Sequence, residues 1–182
     1  MDKSVPLLIL GLGNLICGDD GLGVTAVHRL LDAYDAPEGV RILDGGTLGL
    51  SLLPHLEDAE RAILVDAIRD VEVPGSFIRL TGDDVAPAVA ARLSVHQVGV
   101  VDLLDGARWL GRTPDTLVLL GLVPQSVELS VALSPPVERN LPELVRRVAD
   151  EAAALGFPLR LRSENEPRPE IGSLAGVGAL GL

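Results

Sequence analysis

A chain of 182 residues is long enough for one domain with a full hydrophobic core and too short for two of ordinary size. Fifteen Lys and Arg against 26 Asp and Glu leave a net charge of -11, a field that repels nucleic acid and anionic lipid, so neither is an expected partner. A single cysteine excludes an intrachain disulfide framework and fits a reducing compartment, which makes the cytoplasm the expected location.

The composition is 47% hydrophobic but only 2% aromatic, so the core must be built from Leu, Val, Ile and Ala, which suits a buried parallel sheet. The opening "MDKSVPLLILGLGNLICGDD" has the outline of a lipoprotein signal, with Lys3, an apolar stretch and Cys17. Ile16 stands where cleavage needs a small residue, and Asn14 and the glycines interrupt the apolar stretch, so this reading is set aside. No uncharged apolar run approaches the ~18 residues of a membrane helix.

Residues 7–13, "LLILGLG", read as a buried strand ended by glycines. After Asp20 the period changes to helical, with Leu22, Ala26, Val27, Leu30, Leu31 and Tyr34 on one face and Thr25, His28, Arg29 and Asp32 on the other. Residues 40–46, 61–68, 76–82 and 116–124 read as further strands, and 137–155 as a last helix. Between the fourth and fifth strands, Ser94 and Gln97 match a capping box, which puts His96 in the first turn of a helix whose apolar face is Val100, Leu103, Leu104, Ala107 and Leu110. The pattern predicts an α/β fold of three layers: a twisted, mostly parallel sheet of about five strands with helices on both faces. Residues 1–160 form the single expected domain, and 161–182, Pro- and Glu-containing and then Gly-rich, are expected to be a disordered tail.

Loops at the carboxyl ends of such strands converge on one crevice. Asp20 after the first strand, Asp66 at the end of the third and His96 after the fourth fall there, and two carboxylates with an imidazole suit a divalent metal with an open position. An N-cap accounts for one of Asp19 and Asp20 but not for both. Asp66 interrupts an apolar run, and Arg61 or Arg69 is the alternative partner to a metal. The helix start lowers the pKa of His96, keeping its imidazole neutral. His28 and His55 are assigned structural roles, and Cys17 has no local histidine that would make it a thiol nucleophile. "DGGTLG" (44–49) is either a close-approach loop on the same rim or an ordinary turn.

A nucleotide site competes with this reading, because Gly11 and Gly13 follow a strand and Asp44 ends the next. The dinucleotide fingerprint requires glycine where Ile16 stands, and two aspartates occupy the place where a helix start would favour an anion.

The segments "GLGNLICGDDGLGV", "LDGGTLGLSLLPHL", "ILVDAI", "SVHQVGVVDLL" and "LLGLVPQSVELSVALSPPV" follow one another in a way that resembles the hydrogenase maturation proteases, over nearly all of residues 6–156. The resemblance implies a twisted sheet between helices and a metal-binding endopeptidase that removes the C-terminal extension of a nickel-iron hydrogenase large-subunit precursor after nickel insertion. It implies that Asp20, Asp66 and His96 contact the metal, that Asp20 stands where some relatives carry Glu, and that Asp19 supports them. The metal implied is nickel held by the substrate's own cysteines, with another divalent metal as the alternative. On this reading either the nickel activates water or a carbonyl, or Asp20 or Asp66 acts as general base. A non-catalytic module that checks metal-loaded partners needs the same residues.

Overall fold

The computed structural model describes residues 4–90 and 95–163, with side chains over 4–89 and 100–163. The strands are β1 (Val5–Leu12), β2 (Tyr34–Asp35), β3 (Val40–Gly46), β4 (Ala59–Ala67), β5 (Phe77–Thr81), β6 (Thr116–Leu122) and β7 (Arg160–Leu161). The helices are α1 (Leu22–Ala33), α2 (Leu53–Glu57), α3 (Val85–Ala90), α4 (Val95–Trp109) and α5 (Pro135–Ala154).

Five strands form the central sheet in the order β3-β1-β4-β6-β5. All neighbours are parallel except β5, which runs antiparallel to β6 along one edge. The near-continuous burial of β1, β4 and β6 has a simple cause: helices cover both faces of the sheet, so alternate side chains on either side are equally dry. Leu7, Ile9, Ile63, Val65, Val118 and Leu120 point into a core closed by α1 and α5. Leu8, Leu10, Ala62, Leu64 and Leu119 point the other way, against α2, α3 and α4. Each fully buried Leu or Ile contributes about 1.5–3 kcal/mol. The three-layer fold expected from the alternating pattern is therefore present.

The expected strands and helices appear with boundaries moved by one to two residues. The apolar run at the start of the chain is β1, a central strand with Leu7 to Leu10 at zero exposure. β2 and β7 pair as a small antiparallel ribbon outside the main sheet, and the Arg162 N–H donates to the Ala33 carbonyl beside it. The boundary expected after residue 160 falls inside this ribbon, and the expectation for 164–182 lies outside the described residues. Ser94 of the expected capping box also lies outside them, while α4 begins at Val95 and places His96 in its first turn.

Candidate active site

Strand order locates the site before any side chain is considered. β1 and β4 are hydrogen-bonded neighbours, yet the chain leaves β1 into α1 on one face of the sheet, while α3 and α4, which follow β4 and β5, pack on the other face. Adjacent strands whose connections part to opposite faces leave a crevice at their carboxyl ends. Asp20 follows the end of β1, and Asp66 is the penultimate residue of β4.

The turn that carries Asp20 is held from several directions. Gly13 has a φ of +125°, and a Cβ there would lie 1.8 Å from the Asp20 carbonyl oxygen, so only glycine lets the chain leave β1 at this angle. The Asn14 N–H donates to Asp20 Oδ2 at 2.9 Å, and the Gly13 N–H donates to the Gly46 carbonyl of the neighbouring rim turn. Gly18–Gly21 then forms one turn of 3-10 helix leading into α1, whose N-cap is Gly21 without a side-chain cap bond. Neither aspartate is therefore spent as the cap of α1. Gly23 brings the helix start onto the strands: a Cβ there would lie 2.0 Å from the Val65 carbonyl oxygen and 2.4 Å from that of Leu12. Val65 directly precedes Asp66, so this close approach fixes Asp20 and Asp66 to one corner of the crevice.

Asp20 is 2% exposed, and Asp19 and Asp66 are fully buried; these are the buried charged residues of the described chain. Their neighbours differ. Asp19 Oδ2 accepts from the Gln125 N–H at 2.7 Å, the Ser126 N–H at 3.1 Å and Ser134 Oγ at 2.7 Å, and Oδ1 accepts from the Ser134 N–H at 2.6 Å. The Asp19 N–H donates in return to the Ser126 carbonyl at 3.0 Å. Asp19 thus staples the loop between β6 and α5 to the turn after β1, and its carboxylate is consumed by that role.

Asp66 lies on the opposite face of β4 from Val65 and Ala67, the face shared by Ala62 and Leu64 and covered by α4. Its register partner on β6 is Gly121, so no side chain stands beside it on that strand. α4 ends near the start of β6: the Asp115 N–H donates to the Glu60 carbonyl, and Arg112 pairs with Glu57 at 3.2 Å, both at the amino edge of the strands. Fifteen helical residues span about 22 Å, close to the length of a seven-residue strand, so α4 starts at the carboxyl edge where Asp20 and Asp66 lie. His96 belongs to that first turn, although its side chain is not among those described. Among the described residues alone, no three His, Cys, Asp or Glu side chains form a metal-holding group.

A family model for hydrogenase maturation proteases matches residues 24–151 of this chain. The chain belongs to that family. The hydrogenase 2 maturation protease of Escherichia coli K12 is 35% identical over 143 residues, spanning 78% of this chain and 87% of the relative. A hydrogenase expression/formation protein, HupD, of Rhodobacter capsulatus is 36% identical over 85% of this chain and 75% of its own length. The solved structure of the hydrogenase maturating endopeptidase HybD from E. coli superposes with a TM-score of 0.83 at 33% identity, covering 87% of this chain and 98% of that one. A [NiFe] hydrogenase maturation protease HybD from Thermococcus kodakarensis gives 0.66 at 28% identity, over 81% and 99% of the two chains.

The remaining candidates of this maturation protease lie partly at the crevice and partly away from it. The nucleotide reading loses its amides: those of Gly13, Asn14 and Cys17 donate to Gly46, Asp20 and Asn14, so the turn has little left for a pyrophosphate. Arg61 sits at the far end of β4, paired with Glu60 at 3.3 Å and lying over the Phe157 ring, and so is not the partner considered for Asp66. Arg69 lines a cavity of about 230 Å³ with Asp70 and Val123 to Val127, beside the ends of β4 and β6. Cys17 is half-buried in a parallel bridge to Ser130.

His28 is exposed, as its helical phase indicates, but it is not idle: Nε2 lies 2.9 Å from Asp44 Oδ2. That hydrogen bond raises the His28 pKa above its ordinary value, against a smaller opposing effect of burial. Asp44 Oδ1 also accepts from the Gly46 N–H at 2.9 Å, which makes "DGG" a tight turn locked to α1. His55 lies in α2, with its pKa lowered by burial and then by Arg41. No described helix is long and apolar enough to cross a membrane.

Proposed function

We propose that this processing endopeptidase removes the C-terminal extension of a nickel-iron hydrogenase large-subunit precursor, and that it recognises the nickel the precursor carries through Asp20, Asp66 and His96. The observation that carries the reading is the pair of almost wholly buried carboxylates, Asp20 and Asp66, brought to one corner of the crevice by the Gly13 turn and the Gly23 contact. Carboxylates so withdrawn from water interact strongly with a divalent cation, because the low local dielectric screens the attraction little. The start of α4 at the same edge supports His96 as the third contact, a neutral imidazole being a good ligand for nickel.

Nickel in this scheme is part of the substrate. It anchors the precursor so that the scissile peptide lies along the rim, and Asp20 or Asp66 serves as general base toward water beside it. Asp19 is committed to the loop after β6 and takes no part in proton transfer. The same geometry serves a protein that binds the loaded precursor without cutting it. Incubation of the purified protein with nickel-loaded precursor, followed by mass measurement, separates the two: loss of a C-terminal peptide is expected, and an intact mass in a bound complex would favour the binding module.

A further inference from the structure

Arg69 lies three positions beyond Asp66, at the carboxyl edge of the sheet where β4 ends. It is exposed, and among the described residues it has no ion-pair or hydrogen-bond partner. Other arginines of this chain are engaged: Arg29, Arg79, Arg112 and Arg147 each hold a carboxylate. Arg69 instead lines a cavity of about 230 Å³, which it shares with Asp70, Val123, Gln125 and Ser126. The backbone of this cavity is fixed. The Gln125 and Ser126 N–H groups donate to the carboxylate of Asp19, the residue before Asp20, and the Val123 N–H donates to the Ser76 carbonyl. With those amides spent, the donors these residues have left are side-chain groups, the Arg69 guanidinium foremost. Asp70 Oδ1 accepts from the Val71 N–H at 2.7 Å, so this carboxylate serves its own turn rather than Arg69.

We propose that this cavity is a carboxylate subsite, in which Arg69 binds a carboxylate of the hydrogenase subunit and so helps to set specificity. The inference rests on the function proposed above. Three observations select the occupant. A guanidinium presents parallel N–H donors that match the two oxygens of a carboxylate, and this one has no such partner within the described chain. The cavity is smaller than the roughly 300 Å³ at which small-molecule sites begin, so it suits one side chain or a chain end rather than a nucleotide. Charge disfavours a free anion, because the net charge of -11 and the neighbouring Asp70 repel it. A carboxylate carried by a subunit already anchored at Asp20 and Asp66 overcomes that repulsion through its high effective concentration. Two carboxylates have this character. One is an acidic side chain of the uncut precursor. The other is made by the reaction itself: water adds across the peptide bond, its oxygen stays on the acyl carbon as the new C-terminal carboxylate, and the amine leaves with the extension.

The test titrates the full chain with two nickel-loaded forms of the large subunit, the precursor and the same subunit without its extension. Wild type is compared with Arg69→Gln, Arg69→Lys and Arg41→Gln. Arg41 lies near the amino end of β3, at the opposite edge of the sheet, so its variant removes the same charge away from the cavity. Arg69 is exposed and its substitutions leave folding intact. Arg69→Gln is expected to lose about tenfold in affinity, while Arg69→Lys keeps part of it and Arg41→Gln matches wild type. Loss toward the precursor, with KM for processing raised and kcat unchanged, assigns the carboxylate to an acidic side chain. Loss toward the shortened subunit alone, with product inhibition relieved, assigns it to the new C-terminus. Wild-type affinity of Arg69→Gln for both forms, or an equal loss in Arg41→Gln, would overturn the subsite. If wild type binds precursor without cutting it, the proposed function fails and the subsite is judged by the binding ratios alone; if wild type binds neither form, both fall.

Discussion

Asp19 and Ser134 are 115 positions apart in the chain, yet the Ser134 N–H and Oγ donate to the two carboxylate oxygens of Asp19 at 2.6 and 2.7 Å. Ser134 is the N-cap of α5, so one buried carboxylate joins the turn after β1 to the start of the last helix. Asp19→Ala would take away the shared acceptor of the Gln125 and Ser126 N–H groups and of both Ser134 donors. The expected loss is about 3–5 kcal/mol, read from the urea midpoint at constant slope. Asp19→Asn keeps one acceptor oxygen and should fall between that variant and wild type. An alanine variant within about 1 kcal/mol of wild type would remove the staple from the account.

Gly23→Ala puts a methyl group 2.0 Å from the Val65 carbonyl oxygen and 2.4 Å from that of Leu12, both backbone atoms of central strands. Helix α1 must then move away from β4, and a loss of about 2–3 kcal/mol follows from the overpacking. Because this contact sets the start of α1, which follows the turn of Asp20, against the end of β4 that carries Asp66, precursor processing should fall by more than the unfolded fraction explains. Activity per folded molecule, with folding followed by circular dichroism, is the measurement.

The His28–Asp44 pair predicts a pH dependence of stability. The folded-state pKa of His28 lies above its unfolded value of 6.5, so its contribution is fully present below that pH and is lost as pH rises through the folded pKa. His28→Gln should therefore lower the thermal midpoint more at pH 5.5 than at pH 9. Both side chains are near half exposure, so the difference is small and shrinks in high salt. An equal difference at both pH values would show that the pair contributes no linked proton.

Much of this fold is legible in local sequence. The period change after Asp20 and the apolar runs of β1, β4 and β6 are short-range signals, and they place Asp20 and Asp66 at strand ends without any knowledge of the sheet order. The order itself carries no local mark. The staple from Asp19 to Ser134 and the pairing of His28 with Asp44 were equally hidden, because each partner alone is an ordinary polar residue at a turn or on a helix face. The "SPP" start of α5 signals a cap, since Ser precedes two prolines in the first turn, but nothing near it says that Asp19 would supply the acceptor. Ribbon β2–β7 leaves no mark in the sequence, because two-residue strands have no period to detect.

The most direct test of the central claim compares wild type with Asp66→Asn and His96→Ala on nickel-loaded and nickel-free precursor, with the product mass as readout. Wild type should shorten the loaded precursor and leave the nickel-free one intact, and each variant should process the loaded form at least ~100-fold more slowly. Processing by both variants at the wild-type rate, or equal cutting of loaded and nickel-free precursor, would contradict the account.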